Sequence, residues 1–354
     1  MSPESRPLVA LLAAPETSPS VLYGLYDVLL SVGAVYPDMT TGQPGDAVLD
    51  VRIVAADGAP FRCFGNVLVE PHAAIGEIDR VDVAIVCDMY TPIDMAPQGR
   101  YGGEIEWLRR MHANGSLIAS VCTGSLVLAE AGLLDGRQCA SHWAYGDLFR
   151  RHYPEVDLRE RSILNLTSEH DGLITAGGVT AWHDLALHLI GRLCGPQHAS
   201  RTAKVFLLAG HEDGQLPFAA MTRRTQTSDA VISRCQAWIG QNFECANPVA
   251  AMTERSGLTQ RTFGRRFRAA TGYLPIDYVH ALRIEEAKRI IEMETGGLDE
   301  VGYVVGYEDP TFFRRLFKRK TGLTPAAYRR KFAGILTYTS RTPALVSTHR
   351  LTDW

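Results

Sequence analysis

The sequence predicts an α/β domain with a parallel sheet, followed by an all-helical domain. In the first two thirds of the chain, short apolar and β-branched runs alternate with segments whose apolar residues recur at helical spacing. Such alternation is typical of a parallel sheet covered by helices. From Ala230 onward the strand patterns end, and apolar residues recur only at helical spacing. With 354 residues, of which 46% are hydrophobic, the chain is long enough for two cores.

Five short runs of the first domain predict buried strands. They lie at 8–14, 51–55, 81–87, 116–121 and 173–176. Between them, apolar residues at 21–32 and 105–111 follow the spacing of amphipathic helices, so the connections are mostly helical. We expect this domain to span residues 1–196 and to end near Gly195 and Pro196.

Charge is distributed unevenly along the chain. Residues 229–354 hold 19 Lys and Arg against 13 Asp and Glu, whereas residues 1–228 hold 17 against 26. A basic module on an acidic chain suggests that the second domain meets a polyanion.

Cysteine usage and hydropathy indicate a protein of the reducing cytoplasm. The seven cysteines are scattered and form no C-x-x-C pair, so neither a disulfide framework nor a metal site is expected, and no cofactor is predicted. The first apolar run, at 8–14, is too short for a signal peptide or a membrane span, so no membrane contact is expected.

Two segments of the second domain share one layout. Each has a short helix, a Gly-containing turn and an Arg-rich second helix, followed by Thr-Gly and Pro; we call 249–275 the first repeat and 298–325 the second repeat. Phe263 and Phe267 of the first repeat return 50 residues later as Phe313 and Phe317, one helical turn apart in each case. The layout predicts two helix-turn-helix units.

The second domain resembles the DNA-binding domain of the AraC/XylS family over residues 229–332. The resemblance is carried by the runs VGYEDPTFFRRLFKRKTGLTP at 305–325 and SGLTQRTFGRRF at 256–267. It implies that a long helix at 276–292 joins the two units, and that double-stranded DNA is the partner. A lone Arg-rich helix is more often a solvated face, but two correctly spaced copies favour DNA.

The resemblance also implies which residues contact base edges. Carried over by position, they are Gln260, Arg261, Thr262 and Arg265 in the first repeat, and Asp309, Pro310, Thr311 and Arg315 in the second. Arg is the side chain best suited to guanine, whereas Glu308 and Asp309 repel phosphate. We therefore expect the first repeat to carry most sequence discrimination and the second mainly to position the protein.

Cys122 marks a candidate site in the first domain. It stands at a sharp turn between a predicted strand and a helix, where small Gly124 permits the bend of a nucleophile elbow. A helix N-terminus favours a thiolate, and its free amides suit an anionic ligand.

The first domain resembles the DJ-1/PfpI superfamily over residues 6–194. Besides the Cys122 segment, the resemblance rests on the runs CASHW at 139–143 and TAGGVTAWHD at 175–184. It implies a flavodoxin-like α/β fold of the type-1 glutamine-amidotransferase-like class. Joined to an AraC-type domain, this is the architecture of the GlxA-like regulators, which implies homodimers.

Three interpretations of the candidate pocket at Cys122, Thr123, Gly124 and His142 remain open: a ligand sensor, an inert dimerisation scaffold, or an active hydrolase or hydratase. Isonitrile hydratases of this superfamily place a carboxylate just before the first helix, where this chain has Val21, although Glu16 lies upstream. PfpI-like proteases have His directly after the nucleophile, where this chain has Thr123. His142 is either a base or a packed structural residue. No catalytic residue is assigned.

The sequence thus predicts a cytoplasmic transcriptional regulator that is not an enzyme. We expect a sensor and dimerisation domain at 1–196, a connector at 197–228, the DNA-binding domain at 229–332 and a tail at 333–354. The resemblance implies an activator that contacts RNA polymerase. Because regulators of glycine betaine, carnitine and arginine share this architecture, we expect a small amino-acid-like or nitrogenous effector.

Overall fold

The computed structural model describes residues 6–93, 95–167, 172–211, 213–221, 229–293 and 297–332. Contacts divide the chain into two compact units, Met1–Gln215 and Leu216–Trp354, which we call the N-terminal and C-terminal units. The division falls inside the segment predicted as a connector. The predicted tail at 333–354 lies outside the described residues.

A seven-stranded sheet forms the centre of the N-terminal unit. The strands of this unit are β1 (Leu8–Leu12), β2 (Asp50–Ala55), β3 (Phe61–Cys63), β4 (Val67–Val69), β5 (Ala73–Ala74), β6 (Val83–Val86), β7 (Leu117–Val121), β8 (Gln138–Cys139), β9 (Asp157–Leu158), β10 (Leu164–Leu166) and β11 (Leu173–Ala176). The sheet order is β10-β11-β7-β6-β1-β2-β5, and only the β10–β11 pairing is antiparallel. All five predicted strands are confirmed.

Helices cover both faces of this sheet. They are α1 (Pro19–Leu30), α2 (Val35–Thr41), α3 (Gly102–Ala113), α4 (Gly124–Glu130), α5 (Gly146–His152), α6 (Trp182–Cys194) and α7 (Pro196–Phe206). One apolar cluster joins the sheet to α1 and α6, and a second joins it to α3 and α4. Because the central strands are buried on both faces, their sequences are mostly apolar rather than alternating, with buried Ser120 in β7 and Thr175 in β11 as the exceptions. The predicted α/β class is confirmed.

The C-terminal unit is helical over its described residues. Its helices are α8 (Ala230–Ile239), α9 (Pro248–Ser256), α10 (Gln260–Thr271), α11 (Pro275–Met293), α12 (Leu298–Val304) and α13 (Pro310–Thr321). Each repeat has its own apolar cluster, and α11 supplies Val279 to the first and Ile291 to the second. This confirms the tandem helix-turn-helix fold and the long helix that joins the two repeats.

Within the described part of the chain, no single helix is both long and apolar enough to cross a membrane; the bent pair formed by α1 and α2 passes by length and composition together.

Candidate nucleic-acid interface and Cys122 site

Helix α10 presents the predicted DNA-contacting residues of the first repeat. Thr259 caps its start by accepting a hydrogen bond from the Thr262 amide at 3.4 Å, and Gly272, with φ of 80°, ends it in the left-handed conformation. Phe263 and Phe267 are fully buried, which turns the opposite face outward. The outward residues are Gln260, Arg261 and Arg265. Thr262 is half-buried, and its hydroxyl accepts a hydrogen bond from Thr259.

Helix α13 repeats this arrangement in the second repeat. Asp309 caps its start by accepting from the Thr311 amide at 2.8 Å, and Pro310 occupies the first turn. Asp309, Thr311 and Arg315 are exposed, while Pro310 is half-buried. The carboxylate of Asp309 therefore caps α13, and this structural role is independent of any contact with a base.

Internal contacts confirm the duplication at the level of atoms. Thr271 donates to the Phe267 carbonyl at 2.8 Å, and Thr321 donates to the Phe317 carbonyl at 2.9 Å. An edge-to-face ring contact follows in each repeat, Phe267 with Tyr278 at 5.3 Å and Phe317 with Tyr328 at 5.4 Å. Each equivalent pair is separated by 50 residues, so the two second helices are held on their cores in the same way.

Some arginines of these helices are engaged in ion pairs. Arg266 forms a two-pronged pair with Asp229, the capping residue of α8, at 2.7 and 2.8 Å. Arg314 pairs with Asp299 at 2.5 Å. Arg265 and Arg315 are exposed and lie at equivalent positions of the two repeats, and the Arg315 guanidinium lies 5.7 Å from the centre of the Phe312 ring. The two repeats therefore present an exposed arginine at the same position of their second helices, as they do a basic residue at Arg268 and Lys318.

In the N-terminal unit, Cys122 occupies the predicted strand-turn-helix elbow between β7 and α4. Its φ of 54° is left-handed, which is strained for a residue with a side chain. At Gly124, a Cβ would lie 2.5 Å from the Val86 carbonyl oxygen, so only glycine fits there. Cys122 and Thr123 are each 3% exposed.

A carboxylate that the sequence analysis missed lies beside the thiol. Thr123 donates its hydroxyl to Asp88 at 2.6 Å and its amide to the same oxygen at 3.3 Å. Burial, chiefly, and then the adjacent Asp88 raise the pKa of Cys122 well above its usual value. The expectation that the helix end favours a thiolate is therefore wrong, because burial and a like charge outweigh it. The Thr123 amide, expected to serve an anionic ligand, is already taken by Asp88.

This carboxylate comes neither from the expected acid position nor from Glu16. The expected position holds Val21, which is fully buried in the apolar core, and Glu16 acts on Tyr101, whose pKa is raised by burial and by the Glu16 carboxylate. Asp88 follows β6, which pairs in parallel with β7, the strand that leads into Cys122. A signal was present in the sequence, because polar residues after adjacent parallel strands meet at one edge of the sheet.

His142 lies near this site but shows the features of a structural residue. Its Nδ1 accepts a hydrogen bond from the Ala144 amide at 3.2 Å, and burial lowers its pKa. Its ring contacts Trp143 at 5.0 Å and Tyr145 at 6.1 Å. Among the hydrogen bonds of the described residues, none joins His142 to Cys122.

A buried glutamine connects the elbow to the end of the N-terminal unit. The Cys122 carbonyl accepts from the Ser141 hydroxyl at 3.2 Å, and the Ser141 carbonyl accepts from Gln215 Nε2 at 2.9 Å. Gln215 also donates to the Ser162 carbonyl at 2.8 Å and accepts from the Trp143 amide at 3.3 Å. It is 2% exposed and directly precedes Leu216, where the C-terminal unit begins.

Comparisons with known proteins identify both parts of the chain. Residues 252–331 match the model of a helix-turn-helix domain, and residues 28–192 match that of the DJ-1/PfpI family. The HTH-type transcriptional regulator CdhR of Pseudomonas aeruginosa is 27% identical over 86% of this chain and 88% of its own. The HTH-type transcriptional regulator GlxA of Rhizobium meliloti is 27% identical over 63% of this chain and 68% of its own. Isonitrile hydratase of Pseudomonas putida is 30% identical over 53% of this chain and 72% of its own.

Proposed function

Since the chain belongs to the AraC-type transcriptional regulators that carry a DJ-1/PfpI domain, we propose that it is an effector-controlled activator that contacts bases with α10 and α13. The observation that carries the proposal is the equivalent, exposed placement of Arg265 and Arg315 on two duplicated helices. DNA binding itself follows from membership of this family. What we propose are the residues that contact bases, the effector, the dimer and the contact with RNA polymerase.

The test is a selection of genomic DNA fragments by the purified protein, followed by binding at several salt concentrations. We expect a motif with two major-groove elements per protomer, and genes near the selected sites that point to the effector. Uniformly salt-sensitive binding without a motif would show that the helices supply only charge. Transcription from a selected promoter with purified RNA polymerase then separates activation from repression.

The Cys122 site suits an effector that carries a positively charged nitrogen. Tyr145 donates its hydroxyl to the carbonyl of Thr91, three residues after Asp88, so the aromatic cluster formed by His142, Trp143 and Tyr145 lies near the Asp88 carboxylate. Aromatic faces beside a carboxylate are the usual surroundings of ammonium ligands. This supports a nitrogenous effector and argues against one held mainly by an anionic group.

We expect glycine betaine, carnitine or arginine to raise the melting temperature of the protein, and succinate to leave it unchanged. Asp88→Asn should weaken binding of the effective compound about tenfold or more, because a close charge pair contributes about 1.5 kcal/mol or more. Asp135→Asn, a carboxylate elsewhere in this unit, serves as control. Tighter binding of succinate to wild type than of any cationic compound would reject the assignment.

An exposed apolar patch supports dimerisation through the N-terminal unit. Five apolar side chains here are 37–57% exposed: Tyr23, Phe64, Val67, Leu68 and Tyr90. The centres of the Phe64 and Tyr90 rings lie 5.1 Å apart, and the Tyr23 hydroxyl donates to the Leu68 carbonyl at 3.1 Å, so both tyrosines lie beside the β3–β4 hairpin that carries the other three side chains. Patches of this kind mark association surfaces, and a second copy of the chain can cover one symmetrically.

Phe64→Asp should convert a dimer into a monomer without unfolding the chain, because the side chain is half exposed. Sedimentation velocity measures the change, and circular dichroism checks the fold. Met39→Asp changes an exposed methionine on α2 and should leave the dimer intact. A monomeric wild type, or a dimeric Phe64→Asp, would contradict the proposed interface.

Catalysis by the N-terminal unit is the second candidate function, and one observation favours it: a carboxylate lies beside the Cys122 thiol. The raised pKa of the thiol and the engaged Nδ1 of His142 count against it, since catalysis needs both an activated nucleophile and a positioned base. The discriminating assay incubates the protein with an alkyl isonitrile and measures the formamide. Turnover that is lost in Cys122→Ala would establish the enzyme.

A further inference from the structure

The two repeats are joined by more than the length of α11. Arg283 lies in the middle of this helix, between Leu282, which belongs to the apolar cluster of the first repeat, and Ile284, which belongs to that of the second. It is only 6% exposed, although it carries a permanent charge. A buried cation needs compensating contacts, and these show what it does.

The Arg283 guanidinium binds backbone from both sides of the joint. It donates through Nε to the Phe243 carbonyl at 2.7 Å and through Nη2 to the Cys245 carbonyl at 2.9 Å, both in the loop between α8 and α9. Through Nη1 it donates to the Gly306 carbonyl at 2.7 Å, in the turn between α12 and α13. Three acceptors are thus held in one fork, which lies 5.0 Å from the centre of the Tyr307 ring.

The same loop and turn are also in direct contact. Gly306 has φ of 89°, and a Cβ at this position would lie 2.5 Å from the Glu244 carbonyl oxygen. The turn between α12 and α13 therefore packs at van der Waals distance against the loop between α8 and α9. Only glycine satisfies both the backbone conformation and the close approach.

We infer that Arg283 is a positioning residue that sets the separation of α10 and α13, and so selects the spacing of the two DNA elements. The inference rests on the proposed contacts of both helices with bases. Moving one element by a base pair rotates it by about 35° around the duplex. A rigid joint cannot follow that rotation, whereas a loosened joint follows it more easily.

The test uses operators in which the two selected elements are kept unchanged and moved apart by one or two base pairs. Wild-type protein should lose about tenfold or more in affinity per added pair, as for a mismatched contact. In Arg283→Lys, affinity for the operator with native spacing should fall. The ratio of this affinity to the affinity for the shifted operators should drop severalfold. Lysine keeps the charge but loses the fork.

The ratio separates positioning from simple loss of folded protein, which lowers affinity for every operator by the same factor. Gly306→Ala is a second, independent change at the joint and should lower the ratio in the same direction. Arg289→Lys, on the same helix but exposed and paired with Glu286, should leave the ratio unchanged. A wild-type ratio in both joint variants overturns the inference while the proposed contacts stand. Absence of a two-element motif in the wild type overturns both.

Discussion

Arg265→Ala is expected to weaken specific operator binding about 5- to 150-fold while the fold survives. Arg265 is exposed on α10, so its removal exposes no core and leaves the Thr259 cap and the Phe263–Phe267 contact in place. A guanidinium that bonds guanine with two hydrogen bonds contributes about 1–3 kcal/mol of discrimination, or about 5- to 150-fold in affinity. Titration of the selected operator and of the same operator with the contacted base changed measures both affinity and specificity.

The neighbouring residue provides the matched control for this prediction. Arg266→Ala removes the same charge one position further along, but its guanidinium is engaged with Asp229. We expect it to keep the base preference of the wild type and to lower thermal stability modestly. If Arg265→Ala kept full affinity, or if both variants lost the same amount, the assignment of Arg265 to a base would be wrong.

The strands and repeats were predictable because each depends on local pattern. β1, β6 and β7 are buried on both faces, so their residues are apolar apart from Ser120, and the duplicated phenylalanines lie on the core side of α10 and α13. The 50-residue shift then aligns caps, rings and glycine ends of the two repeats without any knowledge of the fold.

Asp88 and Arg283 were missed because their roles depend on contacts distant in sequence. Asp88 meets Cys122 only because β6 and β7 are neighbours in the sheet, although Asp88 and its hydrogen-bond partner Thr123 are 35 positions apart along the chain. Arg283 sits within a run of buried residues on α11, and that was the available signal, since an arginine on an apolar face requires buried acceptors. The periodicity of the sequence does not show which carbonyls accept hydrogen bonds from Arg283.

Gln215→Ala is expected to disconnect effector binding from DNA binding. The amide links the backbone around the Cys122 elbow to the residue at which the C-terminal unit begins, so a shift of Ser141 on effector binding moves Gln215 directly. Without the side chain, the buried Ser141 carbonyl loses its partner at a cost of about 1–3 kcal/mol, and the partly buried Ser162 carbonyl and Trp143 amide lose theirs at a smaller cost. Nearby Gly177 offers no replacement, since it has no side chain.

The measurement is operator affinity with and without whichever of glycine betaine, carnitine and arginine stabilises the wild type. Binding at one of two coupled sites typically changes the affinity at the other about 5- to 150-fold. In Gln215→Ala, the ratio of operator affinities with and without the compound should approach one, while the compound still binds. Gln43→Ala, an exposed amide in the same unit, should behave as wild type. A wild-type ratio in Gln215→Ala would mean that the signal leaves the N-terminal unit by another route. The second anchor of the segment before Gln215, the His211–Asp184 contact at 2.6 Å, would then be the next to change.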